Sequence, residues 1–219
     1  LSEAPAAFPF GENLVQNGAL ENGTGKPVGW RIKGDNSTGA AVWAKGGAYS
    51  GKRCFKIYDR PPYAASFRDD HEVYIPGGDI HDNYGFAREQ VAARWISEPV
   101  PAKPGEVFQT QACLWYAGLE HVGKNLMFPV RIQFLDANNR VVRQSMWANA
   151  QPNMDRIMTV DGWVPQVGYP LVAPNRTKAV RVAVVKLHAY HELDHGKPAK
   201  IPINTDIVAV DNIALFRVP

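Results

Sequence analysis

Only two cysteines, Cys54 and Cys113, occur in 219 residues. A disulfide framework is excluded, so the fold must rest on apolar burial, which a chain of this length can supply. The two thiols can pair with each other or stand as buried free thiols, and the sequence leaves both open. An excess of one charge is also missing. The chain has 24 Lys and Arg against 21 Asp and Glu, a formal net charge of +3. The basic residues form no run, which argues against a nucleic-acid binder. No stretch approaches the roughly 18 apolar residues of a membrane helix. Helical periodicity is nearly absent, and no P-loop, dinucleotide-binding fingerprint or Gly-x-Ser-x-Gly elbow occurs. The Ala- and Pro-rich start lacks the charged head and apolar run of an intact signal peptide. Residues 1–12 read as a linker or processed N-terminus, and 13–219 as one domain.

What the chain has is punctuation: 19 Gly and 17 Pro break it into short apolar stretches. That pattern predicts an all-β sandwich or barrel. Strands are expected near 13–16, 28–33, 39–44, 53–58, 91–99, 106–116, 128–135, 140–147, 163–167, 179–188 and 206–217. Side chains two apart share a face. Phe55 and Ile57 therefore oppose Cys54, Lys56 and Tyr58. Val130, Ile132 and Phe134 oppose Arg131, Gln133 and Leu135, and Val180, Val182 and Val184 oppose Arg181, Ala183 and Val185. On the strand 106–116, Phe108, Thr110, Ala112 and Leu114 form the inner set; Gln109, Gln111, Cys113 and Trp115 form the outer one. Asp136-Ala137-Asn138-Asn139 reads as a hairpin turn. Arg60–Gln90 breaks the pattern with Pro61-Pro62 and the aromatics Tyr63, Phe67, Tyr74, Tyr84 and Phe86, and Glu192–Asn204 is a second irregular stretch.

Several segments, in order, resemble one family. Asn17-Gly18 through Glu21 with Trp30, Tyr49-Ser50-Gly51-Lys52 before Phe55-Lys56-Ile57, and the Pro104-Gly105 turn open the pattern. Gly162-Trp163, Leu171-Val172-Ala173-Pro174, Val180-Arg181-Val182, and Asp211 before Ile213 and Leu215 complete it. Together they resemble the jelly-roll carbohydrate-binding modules of secreted polysaccharide-degrading enzymes. The resemblance implies a sandwich of two antiparallel sheets, related to galactose-binding-like domains. It implies a non-catalytic module that binds a polysaccharide or oligosaccharide beside other modules of a larger secreted or cell-surface protein. It also implies a structural Ca2+ tying the first and last strands. Its ligands would be Glu21 and Asp211, with the carbonyls of Ser50 or Lys52, since calcium takes six to eight hard oxygens. Trp30 and Trp163 match structural positions of the family and are assigned to packing.

The sugar site is expected on an outer face, where an aromatic ring can stack on the apolar face of a pyranose. Trp115 with Gln111, and Arg131 and Gln133 from the hairpin 128–147, are the candidates; Tyr84 on the 60–90 segment is a further one. The competing reading has Trp115 capping the core or lying under the long 60–90 segment. Two rival functions remain. One is a structural or protein-interaction module without a sugar ligand. The other is a metal-dependent hydrolase, because His191-Glu192-Leu193-Asp194-His195 matches H-E-x-x-H and looks like the metal motif of peptide deformylases. That family's other motifs are missing apart from Cys113-Leu114. The pentapeptide also follows a strand and precedes Gly196-Lys197-Pro198. In an extended strand the Cα atoms of its two histidines stand about 13 Å apart, too far to share a zinc. Adventitious or structural metal binding by His188, His191 and His195 is a weaker reading, and no catalytic residue is assigned.

Overall fold

The computed structural model describes residues 11–34, 36, 39, 41–58, 93–117, 130–145, 162–185 and 207–219. Among them the regular elements are all strands, and every ladder is antiparallel. A small hairpin pairs β1 (Gly23–Thr24) with β2 (Lys26–Pro27). Then come β3 (Trp30–Gly34), β4 (Ala41–Lys45), β5 (Arg53–Tyr58), β6 (Ala93–Ser97), β7 (Val100–Pro101) and β8 (Val107–Ala117). β9 (Val130–Leu135), β10 (Val141–Gln144), β11 (Val164–Val167), β12 (Leu171–Val172), β13 (Ala179–Val184) and β14 (Ile207–Val218) complete the order. One sheet runs β10-β9-β13-β6-β3, with β7 beside β13; the other runs β11-β8-β14-β5-β4, with β12 beside β8. The chain passes from one sheet to the other after β3, β5, β7, β8, β10, β12 and β13. This is the expected jelly-roll sandwich of two antiparallel sheets. No helix is long and apolar enough to cross a membrane among the described residues.

The alternation read from the sequence sets the faces. Phe55 and Ile57, Phe108, Ala112 and Leu114, Val130, Ile132 and Phe134, and Val180, Val182 and Val184 all lie in one buried cluster between the sheets. Phe55 bolts the layers together. Its ring stacks on Trp95 of the other sheet at 4.6 Å and 12°, and meets Trp30 edge-on at 5.0 Å. Phe108 and Phe134 make a second inter-sheet contact at 5.9 Å. Trp30 is a packing residue, as the resemblance implied.

The hairpin forms where the Asp-x-Asn-Asn run placed it. Asp136 closes the turn by accepting from the backbone N–H groups of Asn138 and Arg140, and Asn139 takes the left-handed conformation. Those donors hold the Asp136 carboxyl below its usual value, the Arg140 N–H first.

The expected strand 13–16 is not a ladder strand. Asn13 instead makes paired side-chain bonds, donating to Ile213 O at 3.0 Å and accepting from Leu215 N at 3.0 Å, while Leu14 N donates to Leu215 O. An amide side chain thus serves as a strand edge for β14 where β5 has ended. Gly18 sits so close to this seam that an added Cβ would lie 2.0 Å from Ile213 O. β14 itself shifts register between Asp211 and Ala214, with Asn212 at φ 48°. Such a bulge re-aims side chains locally.

Candidate functional site

The inner and outer sets of β8 are as the alternation required, with Phe108, Ala112 and Leu114 facing the core. Gln109, Gln111, Cys113 and Trp115 therefore face outward from the second sheet. β9 belongs to the first sheet, and its Val130, Ile132 and Phe134 point into the same core from the other side. Arg131 and Gln133 consequently lie on the opposite outer face, across the whole thickness of the sandwich from Trp115. The expected grouping of Trp115 and Gln111 with Arg131 and Gln133 is corrected here: two sheets packed about 10 Å apart stand between them.

Arg131 and Gln133 are also buried, at 1% exposure each. Gln133 accepts from Arg181 Nε at 2.7 Å and donates to Gln144, which stands opposite it. Arg131 donates to the Ser145 carbonyl. These groups form a buried, hydrogen-bonded polar layer, as buried polar groups require.

Trp115 has other company. One step beyond the paired Val164 and Leu114, the register of β11 on β8 brings Trp163 alongside Trp115. Trp163 is half-buried on the outer face rather than in the core, which corrects its assignment to packing. Tyr49, 43% exposed, meets the Trp163 ring at 6.1 Å and 62°. The Tyr49 side chain also lies near Cys113, where its hydroxyl counteracts part of the burial that raises the thiol. Tyr49, Trp115 and Trp163 thus form an aromatic platform on one outer face, with Gln111 half-buried farther along β8. Tyr49 and Trp163 were not in the expected site. The signal for Tyr49 is its place directly before the Ser50-Gly51 turn; Trp163 needs the register, which no local pattern carries.

The two acids expected to ligate calcium both accept from backbone N–H groups of the 50–53 turn. Asp211 is fully buried and accepts from Ser50 N at 3.0 Å and Asn212 N at 2.7 Å. Glu21 Oε1 accepts from Lys52 N at 2.7 Å and Arg53 N at 2.9 Å. Ser50 and Lys52 therefore face the acids through their N–H groups, not the carbonyls expected, and Lys52 O is engaged by Gly46 N at 2.7 Å. Burial pushes the Asp211 carboxyl up to about 6; the Ser50, Asn212 and Tyr49 N–H groups oppose this, and the Glu21 charge adds to it. Two like charges thus meet at one turn. Among the described residues no group of three or more His, Cys, Asp or Glu is placed to hold a metal. The carboxylates of Glu21 and Asp211 are hard oxygen donors, the type that Ca2+ takes and a soft metal does not.

Asp211 also separates the cysteines. Cys113 stands opposite Asp211, and the pairing of Phe55 with Val210 puts Cys54 on the same row from the other side. Two strand spacings, about 9.5 Å, exceed the Cα separation a disulfide allows. Both are free thiols. Burial pushes Cys54 up to about 11 and Cys113 up to about 12, so neither is a nucleophile at neutral pH. Tyr84, the histidines 188, 191 and 195, Glu192 and the acids of the 60–90 segment lie outside the described residues.

No family model matches the chain. No curated protein matches it either. Solved structures do. The chain is similar to the enzymatically active domain of tailspike protein 4 of bacteriophage CBA120, at 11% identity and a TM-score of 0.46, over 94% of this chain and 21% of that one. It is similar to TmCBM61, solved with β-1,4-galactotriose, at 12% identity and 0.42, over 94% and 99%. It is also similar to the CBM22-1 xylan-binding domain of Paenibacillus barcinonensis Xyn10C, at 11% identity and 0.43, over 91% of each. These likenesses are of fold.

Proposed function

We propose that the chain is a non-catalytic carbohydrate-binding module of a larger secreted or surface protein, and that its sugar site is the platform of Tyr49, Trp115 and Trp163. The observation that carries this reading is the platform itself: three aromatic side chains gathered on one outer sheet face and left partly open to solvent. An aromatic face open to solvent is what the apolar face of a pyranose ring needs. Gln111 lies four residues from Trp115, about 13 Å along the strand. A ligand that touches both is an extended oligosaccharide, not a single sugar. We assign Glu21 and Asp211 to a structural Ca2+, held with the Ser50 and Lys52 turn.

The test is affinity electrophoresis or a glycan array, followed by alanine substitution of Trp115 and Trp163. Both side chains are half-buried on the surface, so the melting temperature should change little. Each substitution is expected to weaken binding by about 1–3 kcal/mol, by analogy with base–aromatic stacking, and the pair should abolish it. Full affinity in the double variant would move the site elsewhere. A chain that binds no glycan while a protein partner occupies this face would favour the interaction-module reading.

A further inference from the structure

The platform and the acidic turn are one construction. Tyr49 is the link. Its ring stands against Trp163, while its backbone adjoins the turn that the acids grip. Asp211 accepts from the N–H group of Ser50, the residue next to Tyr49, at 3.0 Å. Ser50 Oγ bonds Asn212 Oδ1 at 3.0 Å, and Glu21 takes the N–H groups of Lys52 and Arg53. Hydrogen bonds to an ionised acceptor are shorter and stronger than neutral ones, so this turn is held by its strongest bonds at both ends. Gly51 is at φ 67°, and a Cβ there would fall 2.5 Å from Glu21 Oε1. The close approach of turn to carboxylate therefore depends on glycine.

We infer that Glu21 and Asp211 are positioning residues for the sugar platform: by holding the 49–53 turn they set the place of Tyr49 on Trp163. Neither touches the ligand. The consequence for sugar affinity rests on the platform reading above; the positioning itself does not.

The experiment uses the whole chain labelled with 5-fluorotryptophan and read by 19F NMR. The Trp163 resonance is assigned by its loss in Trp163→Phe. Tyr49→Ala shifts that resonance and gives the reference change. Glu21→Gln and Gly51→Ala are expected to shift it the same way. The core resonances of Trp30 and Trp95 should stay in place. A role confined to tying the N-terminal segment down would lower the melting temperature without moving Trp163, and that outcome overturns the inference. So does an unmoved Trp163 in Gly51→Ala. For a glycan found to bind, the Kd should rise roughly five- to tenfold in Tyr49→Ala and in Glu21→Gln, with little further rise in the double variant. Additive losses overturn the link through Tyr49. If no glycan binds, the platform reading falls, and the Trp163 resonance still decides the positioning.

Discussion

Phe55→Ala is expected to remove about 3–5 kcal/mol of stability, the range for truncating a buried aromatic. Phe55 is fully buried, stacked on Trp95 and edge-on to Trp30. Those two rings come from the opposite sheet, so one truncation opens a cavity at the contact that joins the layers. Aromatic pairs add about 0.5–1.5 kcal/mol beyond their area, and Phe55 makes two of them. A domain stable by roughly 5–15 kcal/mol would lose a large share of its margin. Urea denaturation measures this directly. The control is Val172→Ala, whose side chain is 51% exposed and should change stability by less than about 0.5 kcal/mol. A loss below about 1 kcal/mol for Phe55→Ala would mean that the layers are not joined there.

Which side chains face inward was legible strand by strand, because alternation is a local property with a fixed period. β5, β8, β9 and β13 each show it. What alternation leaves out is the sheet to which a strand belongs. β8 and β9 follow one another in sequence, yet the chain crosses the sandwich between them. An outward residue on β8 and an outward residue on β9 then point in opposite directions, and the expected sugar site mixed two faces. Trp163 shows the same gap. Its neighbour Trp115 is given by the register of β11 on β8, a long-range pairing that leaves no trace in either segment. The segment 13–16 has a strand's composition but pairs through the Asn13 amide, so propensity named its extended look and missed its partner. The grip of Glu21 and Asp211 on the Ser-Gly turn was legible only through the family resemblance. The spacing of 190 residues between them carries no local signal.

In the metal-free protein, raising the pH from about 4 to about 6 is expected to remove stability through Asp211. Its ordinary value is 3.8, and burial in the folded chain pushes it to about 6. Between these values the folded state binds more protons than the unfolded state, so stability falls as the pH rises. Above the folded value the loss is complete, at most about 3 kcal/mol for a shift of this size. Calcium should have the reverse dependence. It requires ionised carboxylates, and a ligand that binds only the folded state stabilises by about 2.7 kcal/mol at a hundred times its Kd. Calcium should therefore raise the melting temperature by several degrees near pH 7.5 and do nothing near pH 5. Chelator should cancel the gain at the higher pH alone. Other carboxyls titrate in the same range, so the quantity to read is the difference between the protein and Asp211→Asn. That difference should slope with pH in chelator and change sign in calcium. A flat difference in chelator would mean that Asp211 is not strained by burial. A sloping difference that calcium leaves unmoved would leave the carboxylates to their backbone donors, with no metal at the turn.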